Sequence, residues 1–137
     1  MELSADWNVL DWMRLTGAYS TLKIFAPADP NNPDVAGLSP RNRGSLRWQT
    51  DLNEKNKFDL TLRHVSQLTA VSQTVPAYTA FDARFAYTPQ RGVEYALVGQ
   101  NLFSPHHLEY RQSAALSLLS RPAEIPRSIY AKVTWTY

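Results

Sequence analysis

Apolar and polar side chains alternate with a period of two along most of the chain. The clearest case is the C-terminal segment, where apolar or aromatic residues occupy every second position: Ile129, Ala131, Val133, Trp135 and Tyr137. The residues between them are mostly polar and include one charge, Lys132. Successive side chains of a β-strand point to opposite faces, so this period is typical of a strand with one apolar and one polar face.

Six further segments show the same alternation. They lie at about residues 3–8, 13–20, 45–52, 58–63, 81–87 and 93–100. The pattern therefore predicts about seven strands, with boundaries good to a few residues, and no segment has a strong helical period. Ala114–Ser120 is compatible with a short helix inside the last long connection.

The predicted connections are alternately short and long. Short turns fall at residues 9–11, 53–56 and 89–92, and long connections at about 25–42, 67–77 and 101–126. Short turns at one end and long loops at the other are typical of outer-membrane barrels. The sequence thus predicts an all-β, antiparallel up-and-down meander of about seven strands, a segment of a large transmembrane β-barrel.

Strand parity gives an expectation about the start of the chain. If the short turns are periplasmic, Tyr137 ends in the periplasm and Met1 lies on the extracellular side. Bacterial outer-membrane barrels have an even number of strands and begin in the periplasm, so the odd count predicts that earlier strands precede Met1. The first residues also lack the basic start and apolar core of a signal peptide.

The two predicted faces differ in charge and in aromatic content. The polar face carries ionic residues of both signs: Arg47, Asp51, Asp59, Arg63, Asp82, Arg84 and Glu94. Opposite charges on neighbouring strands can pair into ladders. The other face has aromatic residues towards strand ends: Trp7, Tyr87, Tyr95, Trp135 and Tyr137. These are the expected features of a wet lumen wall and of an aromatic girdle at the membrane interface.

Composition removes several classes of function. The 137 residues carry a net charge of +2 without a basic run, so we expect no nucleic-acid partner. The absence of cysteine excludes disulfides, cysteine-based zinc sites and cysteine catalysis. No apolar run approaches the roughly 18 residues of a membrane helix. The mean hydropathy of −0.36 is compatible with alternating barrel strands.

Several motifs occur in an order that matches a known family. They are Ser39-Pro40-Arg41-Asn42, Pro76-Ala77-Tyr78, Asp82-Ala83-Arg84, Val98-Gly99-Gln100-Asn101-Leu102, Glu124-Ile125-Pro126-Arg127 and the terminal Tyr137. In combination they resemble the C-terminal part of the β-barrel of TonB-dependent outer-membrane receptors. The resemblance spans nearly the whole chain.

The resemblance implies a barrel of about 22 strands with a plugged lumen. Such receptors import scarce ligands, such as ferric siderophores or cobalamin, and are driven by the TonB complex of the inner membrane. The plug and the TonB-contacting segment belong to the N-terminal part of the family and are not in this sequence. Residues 1–137 are therefore expected to be a C-terminal barrel fragment, in the outer membrane of a Gram-negative cell, that is not competent for transport alone.

The family's partners are expected to be outer-membrane lipid, the remaining strands and plug of a full receptor, and the outer-membrane assembly machinery. Outer-membrane proteins commonly end on an aromatic residue preceded by alternate apolar positions. Ile129, Ala131, Val133, Trp135 and Tyr137 match that assembly signal. The simpler interpretation, a lipid-facing strand at the barrel seam, is compatible with it. Alone, the chain is expected to aggregate or to need other barrel segments, because exposed strand edges cannot be satisfied in lipid.

No catalytic, cofactor-binding or metal-binding residue is predicted. His106, His107 and Glu109 cluster in a long connection, but adjacent histidines on extended chain point apart. Ser104 and His106 are separated by Pro105, and no third group is evident that would orient the histidine. We expect His64 to be interfacial and Asn101 to cap a turn.

Two alternatives remain open from the sequence. One is a soluble β-sandwich or lipocalin-like binding module, which predicts a soluble monomer with cooperative unfolding. The other is a small self-contained outer-membrane barrel, with a structural or an enzymatic role. It requires an eighth strand, which only the region around Ser113–Arg121 could supply, and a signal peptide.

Overall fold

The computed structural model describes residues 1–25, 39–70, 73–110 and 123–137. Within these ranges the chain forms strands and turns, and no helix there is long and apolar enough to cross a membrane. The strands are β1 (Glu2–Leu10), β2 (Met13–Thr21), β3 (Asn42–Asp51), β4 (Asn56–Val65), β5 (Leu68–Ala70), β6 (Gln73–Val75), β7 (Tyr78–Gln90), β8 (Val93–Gln100), β9 (His106–Tyr110), β10 (Ala123–Pro126) and β11 (Ser128–Trp135).

Seven of these strands form one sheet in the order β1-β2-β3-β4-β7-β8-β11. Every neighbouring pair is antiparallel. This arrangement confirms the prediction of an all-β antiparallel meander. The alternation found in the sequence accounts for the register of each pair, because a shift of one residue would move a whole apolar set to the opposite face.

The short and long connections lie at opposite ends of the sheet, as the sequence predicted. We call these the turn end and the loop end. Two turns differ in detail from the prediction. β1 continues to Leu10, so its turn is Asp11–Trp12, and β7 continues through Pro89 to Gln90 across an irregularity in register.

Two of the predicted long loops contain strands of their own, which corrects the sequence analysis. β5 pairs with β6 within the connection at 67–77. β9 pairs with β10 within the connection at 101–126. Both pairs are short antiparallel hairpins outside the main sheet. The possible helix at 114–120 and the possible eighth strand at 113–121 lie outside the described residues.

A glycine turn holds the chain end against the sheet. Gly92 has a φ of +84°, a backbone conformation that residues other than glycine adopt only with strain. A Cβ at this position would lie 2.5 Å from the Thr136 carbonyl oxygen. The Thr136 amide in turn donates to the Gly92 carbonyl at 2.8 Å. Glycine is therefore required here for both its conformation and its size.

Burial in the main sheet is the reverse of that in a soluble sheet. In the described ranges the buried apolar residues are Val75, Ala80, Ala86 and Ala96. Large apolar side chains are instead exposed, including Trp7 at 63%, Ile129 at 69% and Trp135 at 77%. The described residues thus leave the apolar face of the sheet uncovered.

Candidate functional site

The apolar face is built from cross-strand rows of side chains. One row crosses the entire sheet at mid-height and consists of Trp7, Leu15, Trp48, Leu60, Ala83, Gly99 and Ile129. Members of the neighbouring rows include Leu46, Leu62, Phe85, Leu97 and Val133, which are all exposed. We use the name apolar face for these rows together. Their continuity over seven strands makes a broad surface with no counterpart layer in the described part of the chain.

Aromatic side chains gather at the turn end of the apolar face. Tyr87 lies directly opposite Tyr95, and both are exposed. Trp135 is 77% exposed, and Tyr137 follows it at the chain end. Trp12, in the first turn, adds an exposed indole that the strand pattern did not identify. Trp7 differs from the expectation, since it lies in the mid-height row.

The opposite face, which we call the polar face, is held together by ion pairs. Its centre is Arg84, which stands directly opposite Asp59 in the register of β4 and β7. Its Nη1 donates to Asp59 Oδ2 at 3.0 Å, and its Nη2 donates to Glu94 Oε1 at 2.6 Å. These three side chains are only 15–30% exposed, so the bridge joins three adjacent strands in a partly desolvated setting.

Further ion pairs extend this arrangement over the polar face. Arg63 Nη2 lies 3.2 Å from Asp82 Oδ2, and Lys57 Nζ lies 3.3 Å from Asp51 Oδ1. The predicted ionic residues thus pair across strands as expected, except for Arg47, for which the described residues provide no ion pair. The Asp6–Arg14 pair, at 3.0 Å, was not singled out in the sequence. Asp6 and Arg14 are eight residues apart on either side of a tight turn, and this spacing was the feature of the sequence that could have predicted the pair.

The Gly99–Leu102 segment forms a specific turn at the loop end. Asn101 is buried and has a φ of 53°, which asparagine tolerates better than most residues. Its backbone N–H donates to Asp82 Oδ1 at 2.9 Å, and its side-chain Nδ2 donates to the Ile125 carbonyl at 3.0 Å. Its side chain therefore holds β10 against the sheet instead of capping its own turn. A Cβ on Gly99 would lie 2.9 Å from Leu102 Cδ2, so glycine leaves space for that leucine.

A compact polar cluster lies at the loop end, where β9 meets β7. The His107 ring stacks on Tyr78 with 4.0 Å between centroids, and its Nε2 lies 3.1 Å from Glu109 Oε1. The Tyr78 hydroxyl donates to the same carboxylate oxygen at 3.3 Å. His107 is buried, and its Nδ1 has no hydrogen-bond partner among the described residues. His107 and Glu109 share one side of β9 because they are two residues apart.

Tyr78 is the first residue of β7 and lies at the loop end of the sheet. Its pair with Val65 comes after the His64–Thr79 pair, which is the last row of the apolar face on these two strands. Burial raises the pKa of its phenol, and the nearby Glu109 carboxylate raises it further. The group therefore remains a hydrogen-bond donor at neutral pH.

The other residues weighed in the sequence have structural contacts. Ser104 Oγ donates to the His106 backbone carbonyl at 2.8 Å, so this serine does not face the imidazole as a nucleophile would face its base. His64 Nδ1 lies 2.9 Å from Thr79 Oγ1 on the apolar side of the sheet. Within the described ranges, no group of three histidine or acidic side chains is placed to hold a metal ion. The prediction that His106, His107 and Glu109 lie in a loop is wrong, because all three belong to β9.

Comparison with known proteins adds no assignment to this geometry. The chain matches no family model, and no curated protein matches it.

Proposed function

We propose that this chain is the C-terminal wall segment of a TonB-dependent outer-membrane receptor, which takes up a scarce ligand such as a ferric siderophore. The observation that carries the proposal is the pairing of two unlike faces on one sheet. One face exposes large apolar and aromatic side chains, and the other is cross-linked by ion pairs.

The apolar face requires a nonaqueous neighbour. Transferring a Leu, Val or Phe side chain out of water is worth about 1.5–3 kcal/mol. Leu97 is 56% exposed and Val133 is 63% exposed, so in water the sheet would forgo much of that free energy at many positions. Lipid supplies the missing contacts, and its thickness of about 30 Å suits strands of about 9–11 residues.

The polar face supports assignment as a lumen wall. Partly buried carboxylates and guanidinium groups on adjacent strands are too hydrophilic for lipid, and their pairing keeps charges satisfied beside water. Barrel strands alternate apolar-out and polar-in in this way. The long connections at one end and short turns at the other support an orientation in which Tyr137 would lie on the periplasmic side.

The resemblance of the motifs selects the receptor class among outer-membrane proteins. Its motif Gly99–Leu102 has a physical role here, since the glycine accommodates the leucine and Asn101 anchors β10. Ile129, Ala131, Val133, Trp135 and Tyr137 lie at and beyond the edge strand β11, where an assembly machinery could pair with the chain end. Transport itself is assigned to the complete receptor with its plug.

Electrophoretic heat-modifiability tests this proposal. The 137-residue chain is refolded in zwitterionic detergent and run in cold SDS with and without boiling. We expect a β-type circular dichroism spectrum in detergent, aggregation without it, and no mobility shift on boiling, because seven strands leave β1 and β11 as edges.

Two results would count against the proposal in different ways. A mobility shift on boiling would mean that the chain closes alone and is a small barrel. A soluble monomer in detergent-free buffer with cooperative unfolding would mean that the apolar face is covered by other parts of the chain, as in a soluble binding module.

A further inference from the structure

The polar face contains a hollow at its loop end. It has a volume of about 430 Å³ and lies over the paired strands β1 to β4. Short side chains form its floor: Ser4, Ala18, Ser20 and Ser45. Two arginines, Arg43 and Arg63, stand beside this floor and point to the same face, since each occupies a polar-face row of the register.

The electrostatics of the hollow favour an anion. Arg63 uses one guanidinium nitrogen, Nη2, to contact Asp82 Oδ2 at 3.2 Å, and its side chain is 47% exposed. Most of its five N–H groups therefore face the hollow or solvent. Arg43 is exposed, and the described residues give its side chain no ion pair and no hydrogen bond. Glu2 also lines the hollow, but within the described ranges no ion pair joins it to either arginine.

The hollow at the turn end provides a contrast within the same face. It is larger, at about 580 Å³, but most of its cations already have carboxylate partners. Arg14, Lys57 and Arg84 each lie within 3.3 Å of an acidic oxygen. Four carboxylates also line the turn-end hollow, Asp11, Asp51, Asp59 and Glu94, whereas Glu2 is the one carboxylate among the residues that line the loop-end hollow. An anion at the turn end would therefore meet acidic side chains, although Arg47 there has no ion pair within the described ranges.

We propose that the loop-end hollow binds a small soluble molecule carrying two or more carboxylate or phosphate groups. Arg43 and Arg63 would each donate charge-assisted hydrogen bonds to its oxygens, and the Ser20 and Ser45 hydroxyls would complete the contacts. The volume lies within the range of small-molecule sites. The inference deepens the proposed function, because it assigns an anionic ligand class to the mouth of the lumen.

The test uses the full chain in zwitterionic detergent at low ionic strength, with pyrophosphate and citrate as probes in isothermal titration calorimetry. We expect saturable 1:1 binding of at least one probe. Arg43→Gln and Arg63→Lys should each weaken it about tenfold, because each removes or impairs charge-assisted hydrogen bonds. Lys132→Gln is the matched control, since Lys132 is an exposed cation on the polar face of β11 and should leave binding unchanged.

Three outcomes with the soluble probes would overturn the inference. They are absence of saturable binding, equal weakening by all three variants, and loss of the β spectrum in Arg43→Gln, to which we assign no structural role. Binding confined to phosphatidylglycerol in mixed micelles would assign the hollow to a lipid headgroup and would also refute the soluble ligand. Failure here leaves the membrane proposal intact, since that proposal is decided by solubility and heat-modifiability. Conversely, a detergent-free soluble monomer that binds pyrophosphate would refute only the membrane proposal.

Discussion

The sharpest test of the two-faced sheet is to place the same charge on each face at adjacent positions. Leu60 and Thr61 are neighbours at the middle of β4. Leu60 lies in the mid-height row of the apolar face, opposite Trp48 and Ala83. Thr61 points to the polar face between Arg47 and Asp82. Leu60→Arg and Thr61→Arg therefore introduce the same side chain at adjacent positions of one strand, but on opposite faces of the sheet.

The expected difference follows from the medium next to each face. An arginine facing lipid at the bilayer midplane of a barrel costs about 2–4 kcal/mol. A surface substitution facing water usually changes stability by no more than about 0.5 kcal/mol. Leu60→Arg should therefore lower the folding equilibrium constant by about 30-fold to about 1000-fold, since each 1.4 kcal/mol is a factor of ten. Thr61→Arg should change it by no more than about threefold.

Urea titration in phospholipid–detergent mixed micelles, followed by far-UV circular dichroism, measures both variants against the parent chain. Linear extrapolation gives each free energy of unfolding, and an unchanged slope shows that the same surface is exposed. Equal small effects of the two substitutions would refute the assignment of the apolar face to lipid. A larger effect of Thr61→Arg would mean that the polar face is the covered one.

Three further predictions concern the local geometry of the sheet, and each is measured by the same titration. Gly92→Ala should lower the free energy of unfolding by about 1–3 kcal/mol because of the positive φ. Gly17→Ala, whose added Cβ would meet no atom of the described residues within 4 Å, should leave it unchanged. Equal effects would contradict the strain argument. Arg84→Gln should lower the free energy of unfolding more than Arg14→Gln does. Arg84, Asp59 and Glu94 are 15–30% exposed, whereas Arg14 and Asp6 are 54% and 57% exposed. The reverse order would mean that the Arg84 bridge is not desolvated. Asn101→Ala should lower the free energy of unfolding by about 0.5–1.5 kcal/mol, because it removes the Nδ2 hydrogen bond to the Ile125 carbonyl. Retained stability would mean that β10 is held by other contacts.

The main sheet could be predicted because its determinants are local and periodic. The alternation predicted which residues share a face. The length and composition of the connections predicted which end of the sheet carries the short turns and which carries the long connections. The β5–β6 and β9–β10 hairpins were missed because their strands are only three to five residues long, too short for a period to be visible. The Tyr78–His107–Glu109 cluster depends on β9 docking beside β7 over about 30 residues of chain, and only the two-residue spacing of His107 and Glu109 indicated it.

The distribution of apolar side chains also constrains what can stabilise this sheet. Ordering one residue of backbone costs about 1–2 kcal/mol, and a hydrogen bond returns about 0.5–1.5 kcal/mol net, so strand pairing alone does not stabilise a sheet in water. Burial of apolar side chains normally supplies the remaining free energy. In the main sheet the buried apolar residues described are Ala80, Ala86 and Ala96, and each removes only one methyl group from water. The side chains with the largest transfer free energies, such as Trp48 and Leu97, lie on the uncovered face. The described residues therefore do not supply the apolar contacts that would stabilise this sheet, and under the function proposed above a lipid or detergent phase that matches the height of the apolar face would supply them over all seven strands at once.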